Sequence, residues 1–271
     1  MRETAGTGHV AIVTGANQGI GAATARALAA RGTAVLCTGL PLRPGDGAEP
    51  RNIYDEQRAA GLDHVVAAIR AEGGQAVALE ADLAELATAG ALFDHAEQHL
   101  GPVDILVNNA SGWVQDTFTP DPVDRFDRVL RPVTPDTWAQ QFAVDARAPA
   151  LLIAELARRH RERGAHWGRI IGLTSGGDLG FPGEVSYGAA KAAQTDYTLS
   201  AAVELAPLGI TANVVHPPVT DTGWVTDEVR RFVEASSTHF HVAEPADVAR
   251  TIVHLASDDA ALITGNVIVL R

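Results

Sequence analysis

Tyr187 and Lys191 stand four residues apart in Ser186-Tyr187-Gly188-Ala189-Ala190-Lys191, at the start of an Ala-rich stretch with helical spacing. On a helix that spacing puts both side chains on one face. An ammonium held beside a phenol favours the phenolate and draws the phenol toward the range in which it exchanges a proton. Such a pair can protonate a carbonyl oxygen or take a proton from an alcohol. Upstream, the strand-like run Arg169 to Thr174 ends in Thr174-Ser175-Gly176, where a hydroxyl projects from a strand end. A second chemical feature lies near the N-terminus, in Thr14-Gly15-Ala16-Asn17-Gln18-Gly19-Ile20-Gly21, between a β-branched run and a helical stretch. A pyrophosphate needs close backbone approach, free N–H groups and the positive end of a helix, and glycines supply the approach.

These residues need a scaffold that brings strand ends and helix starts together. Short apolar runs at His9–Thr14, Ala34–Thr38, Ala76–Glu80, Ile105–Asn108, Arg169–Thr174, Thr211–Val215 and Asn266–Leu270 read as strands. Ala22–Ala30, Leu62–Ala71 and Leu83–Leu100 carry helical Ala/Leu spacing between them. Strand-helix alternation with nearly continuous apolar strands predicts an α/β protein: a single-domain Rossmann fold, a doubly wound parallel sheet of about seven strands with helices on both faces. With no repeat and no linker, residues 1–271 form one domain. Two long polar stretches, 41–60 and 112–135, interrupt the rhythm after a strand. Ligands bind at the carboxyl ends of strands in open α/β sheets, so both insertions either reach a ligand or form surface loops. Asp82 followed by Glu85 reads as a helix capping box.

Bulk composition narrows the partners. The 271 residues include 33 acidic and 21 basic side chains, a formal net charge of −12, which repels nucleic acid and anionic membranes. The basic run Arg158-Arg159-His160-Arg161-Glu162-Arg163 closes a helical pattern and reads as a solvated helix end. The single cysteine, Cys37, lies in an apolar strand run and reads as core packing in a reducing compartment. No run is long enough to span a membrane and no leader is evident, so the expected location is cytoplasmic. His95 and His99 share a helix face but lack HExxH chemistry and a third ligand, so no metal is expected. His239-Phe240-His241 either lines a substrate pocket or forms a surface loop.

The Gly-xxx-Gly-x-Gly loop, the Thr-Ser-Gly strand end and the Tyr-xxx-Lys helix occur in an order that resembles the classical type of short-chain dehydrogenase/reductase, similar to 3-oxoacyl-[acyl-carrier-protein] reductase-like members. The resemblance covers essentially the whole chain apart from the two insertions. It implies hydride transfer between NAD(P)(H) and a small-molecule carbonyl or alcohol, of the 3-oxoacyl type in the members it is similar to. Tyr187 is then the acid/base, Lys191 tunes it and holds the cofactor ribose, and Ser175 orients the reacting oxygen, with Thr174 as fallback. For the cofactor the resemblance marks Gly15, Asn17, Gln18, Gly19, Ile20 and Gly21, then Asp82 and Leu83 at the adenine. It also marks Asn109 and Ala110 in Asn108-Asn109-Ala110, and Pro217, Thr220 and Thr222 beyond the sixth strand.

Three departures stand out. Ser111 replaces the family's usual Gly, and Pro218 follows Pro217 where the family reads Pro-Gly. Asp145 falls where the family places an Asn that supports a proton-relay water, so a carboxylate replaces an amide donor. At the end of the second strand, where an acid would select NAD, stands Gly39, with Arg43 close by to receive a 2′-phosphate. NADP(H) is therefore favoured over NAD(H). The resemblance further implies a homotetramer or homodimer, assembled through Thr137–Arg163 and Tyr187–Leu205. The alternatives are a catalytically weak cofactor-binding regulator on the same fold, and a cofactor-free lyase; intact glycines with Tyr187 and Lys191 oppose both.

Overall fold

Runs of Val, Ile and Leu too short and too continuous for an amphipathic surface helix become buried strands, and the Ala-rich stretches between them become the crossovers. A computed structural model of the protein describes residues 8–41, 59–124, 128–177 and 180–271. Its strands are β1 (Val10–Thr14), β2 (Ala34–Gly39), β3 (Ala76–Glu80), β4 (Val103–Asn108), β5 (Asp116–Thr117), β6 (Arg131–Pro132), β7 (Gly168–Leu173), β8 (Ile210–His216) and β9 (Val267–Val269). Seven of them form one parallel sheet in the order β3-β2-β1-β4-β7-β8-β9, while β5 and β6 pair separately inside the second insertion. Every expected strand is present, with ends displaced by no more than two residues, the largest displacement being at the start of β4.

Parallel strands require crossovers on the faces. The described helices are α1 (Gly19–Ala29), α2 (Asp63–Ala71), α3 (Thr88–His99), α4 (Pro135–Phe142), α5 (Ala148–Glu162), α6 (Val185–Glu204), α7 (Asp227–Glu234) and α8 (Pro245–Leu255). Alternate residues of each strand enter opposite cores. Ala11, Val13, Val35 and Cys37 pack with Leu28, Val65, Ile69 and Ile252. Val10, Ile12, Leu36 and Ile170 pack with Leu92, Phe93, Leu152 and Leu156 on the other face. Strand order reverses between β1 and β4, which places a crevice at their carboxyl ends. The glycine loop leaves β1 there, and the second insertion leaves β4 there.

Two local expectations are corrected. Asp82 does not cap a helix: its Oδ1 accepts from the Ala84 N–H at 2.8 Å, and α3 begins only at Thr88, whose hydroxyl donates to the Asp82 carbonyl at 2.6 Å. Two residues is the reach of an Asx turn, so the aspartate closes the turn ahead of the helix. The basic run of α5 is not simply solvated. Arg159 pairs with Asp94, Glu97 and Glu155 and stacks over Phe93, tying α5 to α3. His160 is fully buried against the Leu208 carbonyl. Arg158, paired with Glu155 and Glu162 along its own helix, and exposed Arg161 match the solvated reading.

Cys37 is enclosed in the first core, and burial pushes its thiol up to about 12. The thiolate is the reactive form, so the native protein should show no reaction with a disulfide reagent at neutral pH and one thiol after denaturation. A fast-reacting thiol in the native state would contradict the packing.

Candidate active site

Lys191 lies one helical turn beyond Tyr187 in α6, and its side chain is buried. Its ammonium sits 3.0 Å from Asp145 Oδ1 and donates to Gln194 Oε1 at 3.0 Å. Gln194 in turn donates to the Asn108 carbonyl at the end of β4, at 2.9 Å. The other oxygen of Asp145 accepts from Gln141 Nε2 at 2.6 Å and from the Gly112 N–H at 2.8 Å. Gln141 Oε1 accepts from the Val114 N–H at 2.9 Å. Every neighbour of the Asp145 carboxylate is a donor, which suits a group that can only accept. The ammonium lies 5.8 Å from the centre of the Tyr187 ring. Phe181 packs against the same ring, tilted, at 5.8 Å between centroids.

A proline explains why Asp145 can reach inward. Pro149 has no N–H, and its ring would clash with the carbonyl four residues earlier, which is that of Asp145. The chain answers with a π-helical turn, Ala143–Arg147, between α4 and α5, so that the Ala148 N–H bonds back to the Ala143 carbonyl. Asp145 and Ala146, within that turn, are buried. Wide turns of this kind re-aim side chains and occur often at functional sites. Upstream, α4 starts from a reciprocal cap between Thr134 and Thr137, with Pro135 at its first position.

The glycine loop is stitched to the end of β4. Thr14 Oγ1 accepts from the N–H groups of Asn109 (2.9 Å) and Ala110 (3.0 Å) and donates to the Val107 carbonyl. Asn109 Nδ2 donates to the Thr14 carbonyl at 2.8 Å. Gly15 and Gly19 have φ of 65° and 53°, which favours glycine. A Cβ on Gly21 would lie 2.1 Å from the Gly15 carbonyl oxygen, and one on Gly19 would strike Thr222. These positions therefore leave a bare backbone cradle at the N-terminus of α1, next to Thr222. Gln18 Oε1 and Ser111 Oγ are buried there with no hydrogen-bond partner among the described residues. A cradle without side chains and polar atoms lacking partners fit an anionic, polar ligand such as a dinucleotide.

Other expected positions divide. Gly39 ends β2, and a Cβ there would lie 2.9 Å from Asn17 Oδ1, so the Asn17 amide occupies the space of a carboxylate at this position. Arg43 lies outside the described residues. Leu83 packs on the second core, and Asp82 holds its turn. Thr220 is buried with its hydroxyl committed to the Pro218 carbonyl, so it faces its own loop, whereas Thr222 meets the glycine loop. The Thr174 hydroxyl is engaged with Thr195 and the Lys191 carbonyl, which removes the fallback. Ser175, half-buried beyond β7, has no hydroxyl partner among the described residues. His95 and His99 stack on one another at the surface of α3. Phe240 and His241 line an open cavity of about 460 Å³ with Pro218 and Val269.

Sequence reasoning passed over Gln141, Gln194, Asp116 and Glu184. Gln141 to Asp145 is an i,i+4 pair and Lys191 to Gln194 an i,i+3 pair, so each was one helical turn from a residue already singled out. Asp116 and Glu184 carry no such signal. The second insertion is no free surface loop: fully buried Asp116 accepts from the Ser186 N–H at 2.9 Å, and Trp113 Nε1 and Arg128 both hold Glu184 at the start of α6.

Parallel α/β topology, a glycine cradle at the reversal of strand order and a helix carrying Tyr187 and buried Lys191 define a dinucleotide-type oxidoreductase site. Residues 15–270 match the family described as Enoyl-(Acyl carrier protein) reductase. The chain is 35% identical over 262 residues to the uncharacterized oxidoreductase YjdA of Bacillus subtilis, covering 96% of this chain and 94% of that one. It is 34% identical over 268 residues to a 3-oxoacyl-[acyl-carrier-protein] reductase of a Synechocystis species, covering 97% and 95%. The crystal structure of the angucycline C-6 ketoreductase LanV with bound NADP superposes with a TM-score of 0.77 at 30% identity, covering 97% and 94% of the two chains. The protein belongs to the short-chain dehydrogenase/reductase family, whose enzymes act on carbonyl and alcohol groups.

Burial lifts the Glu184 carboxyl above its ordinary value of 4.5, against the pull of Trp113 and Arg128. A folded value above the unfolded one gives a stability contribution that is complete at low pH and lost as pH rises through the raised folded value. Glu184→Gln lacks that loss. Its melting temperature should therefore gain on the parent's between pH 4.5 and neutrality; a pH-independent difference would refute the assignment.

Proposed function

We propose that the protein is an NADP(H)-preferring reductase/dehydrogenase of a small-molecule carbonyl or alcohol, of the 3-oxoacyl kind, in which Tyr187, Lys191, Ser175 and Asp145 form the working set. One observation carries this reading: a buried ammonium, fixed on two sides, stands one turn from a half-buried phenol at the same strand ends as the glycine cradle. Tyr187 gives its proton to the substrate oxygen in reduction and takes one in oxidation. Ser175, whose hydroxyl is uncommitted, orients that oxygen. Lys191 holds its position through Asp145 and Gln194, and with Tyr187 faces the cofactor ribose. Gly15, Asn17, Gln18, Gly19, Ile20 and Gly21 would hold the pyrophosphate, with Asp82 and Leu83 toward the adenine. Asn109, Ala110, Pro217 and Thr222 would line the remainder. When bound, the nicotinamide cofactor supplies or accepts the hydride.

Preference for NADP(H) is supported by Gly39, where no carboxylate opposes a 2′-phosphate, by Arg43 four residues further along the sequence, and by the NADP bound to the similar ketoreductase. Trp113, Leu130 and Phe181 near the start of α6 favour a partly apolar substrate. A cytoplasmic location fits the buried Cys37 and the absence of any membrane-spanning helix among the described residues. Assembly into a homotetramer or homodimer is supported by Trp138, Leu151, Tyr197 and Val203, large apolar side chains exposed on α4, α5 and α6.

Titration calorimetry with NADPH and NADH, on the parent and on Gly21→Ala, tests the cofactor assignment. NADPH should bind tighter, and the alanine, whose Cβ would strike the Gly15 carbonyl and displace the loop, should weaken it by at least about tenfold. Tighter NADH would overturn the phosphate preference and leave the dehydrogenase standing. Tyr187→Phe should lower ketone reduction by about 10²- to 10⁴-fold. Cofactor binding without turnover of a ketone panel by the parent would instead favour a regulator. Sedimentation at micromolar concentration should show an oligomer; a monomer would refute the assembly.

A further inference from the structure

The carboxylate of Asp145 does more than hold a lysine. The ammonium of Lys191 and the carboxylate lie 3.0 Å apart, with side chains 2% and 0% exposed. At that depth water screens little, so charges act over several ångströms. A lone ammonium beside Tyr187 would strongly favour its phenolate. Paired with a carboxylate, it presents only a dipole, whose field falls off much faster. We propose that the negative charge of Asp145 offsets Lys191 and sets the pH at which Tyr187 exchanges its proton, keeping the phenol protonated at neutral pH and poising the site for carbonyl reduction. This rests on Tyr187 being the proton-transfer group.

The charge is built in rather than incidental. The Gly112 N–H and Gln141 Nε2 converge on Oδ2 and hold the carboxylate from the side away from Lys191. Gln194 accepts a hydrogen bond from the ammonium and is itself anchored on the Asn108 carbonyl, so the ammonium is held by Gln194 on one side and the Asp145 ion pair on another. The π turn that places Asp145 follows from Pro149.

Other titratable groups face α6 from its neighbours. Asp116 comes from β5, and Glu184 with Arg128 stands at the helix start. On the sheet side, His216 ends β8, and Arg169 of β7 points away from α6, to the Ser257 carbonyl beside α8. All of these are unchanged by substitution at position 145, so their contribution cancels in a comparison of parent and variant.

The test follows the ultraviolet tyrosinate band with pH and needs no substrate. The chain has three tyrosines, and subtracting the titration of Tyr187→Phe in the same background isolates Tyr187. Asp145→Asn keeps shape and removes charge, so the Tyr187 midpoint should move down by about one pH unit or more. Asp145→Ser, whose vacated space admits water to solvate the ammonium, should move it the same way. Gln141→Met removes a donor to Asp145 but leaves the charge, and should leave the midpoint in place while lowering the melting temperature. An unmoved midpoint in both neutral variants, or an equal shift in Gln141→Met, would overturn the proposal. Failure of both neutral variants to fold would do the same, by making Asp145 structural only. Retention of ketone reduction by Tyr187→Phe would instead remove the reading of Tyr187 on which the proposal rests.

Discussion

Lys191 carries a charge into a part of the protein almost closed to water, and a buried ammonium has to be matched or it unfolds its surroundings. Removing one member of such a pair costs about 3–5 kcal/mol, while a pair with every remaining group satisfied is tolerated. Here satisfaction recruits distant segments. Asp145 comes from a π turn, Gln141 from α4, Gln194 from α6, and Gly112, Val114 and Asn108 from the end of β4 and the loop beyond it. Because each segment joins this network through a contact of definite length, directly or through Asp145, Gln141 or Gln194, none can shift without exposing another. The network thereby fixes α6, and with it the ring of Tyr187.

The same strand end serves the other half of the site. Asn108 anchors Gln194, while Asn109 and Ala110, its successors, bind Thr14 at the start of the glycine loop. The glycine cradle and the Tyr187–Lys191 helix are thus referred to one short piece of backbone leaving β4. Two further contacts, from Asp116 to Ser186 and from Trp113 to Glu184, bring the insertion after β4 onto the start of α6. What interrupts the strand-helix rhythm therefore packs against the site, where a wall can shape substrate choice while the chemistry beneath it stays unchanged.

Asp145 shows how a local rule and a distant demand meet. Pro149 forbids the ordinary helical bond to the Asp145 carbonyl, which widens the helix by one residue and re-aims the side chain. The spacing of the two residues is plain in the chain. That the re-aimed carboxylate would meet Lys191, and not solvent, depends on α4, α5 and α6 packing side by side, which no window of a dozen residues contains. The corrections have the same origin. Arg159 and His160 look like part of a solvated basic end until α3 and the turn after α6 are placed against α5. Thr174 looks as available as Ser175 until Thr195 occupies its hydroxyl.

By itself the sequence determined the order and type of the strands, the parallel doubly wound sheet, the glycine cradle and the Tyr-Lys helix. Those follow from apolar periodicity, from glycine's freedom at positive φ and from helical spacing, all of which act within a few residues. Tertiary structure alone decided the counter-ion of Lys191, the packing of the second insertion on the start of α6, the commitment of the Thr174 and Thr220 hydroxyls, and the occupation of the space beyond Gly39 by Asn17. A buried polar group bonds to whatever donor or acceptor the fold brings within about 3 Å, and that choice is made between segments far apart in the chain.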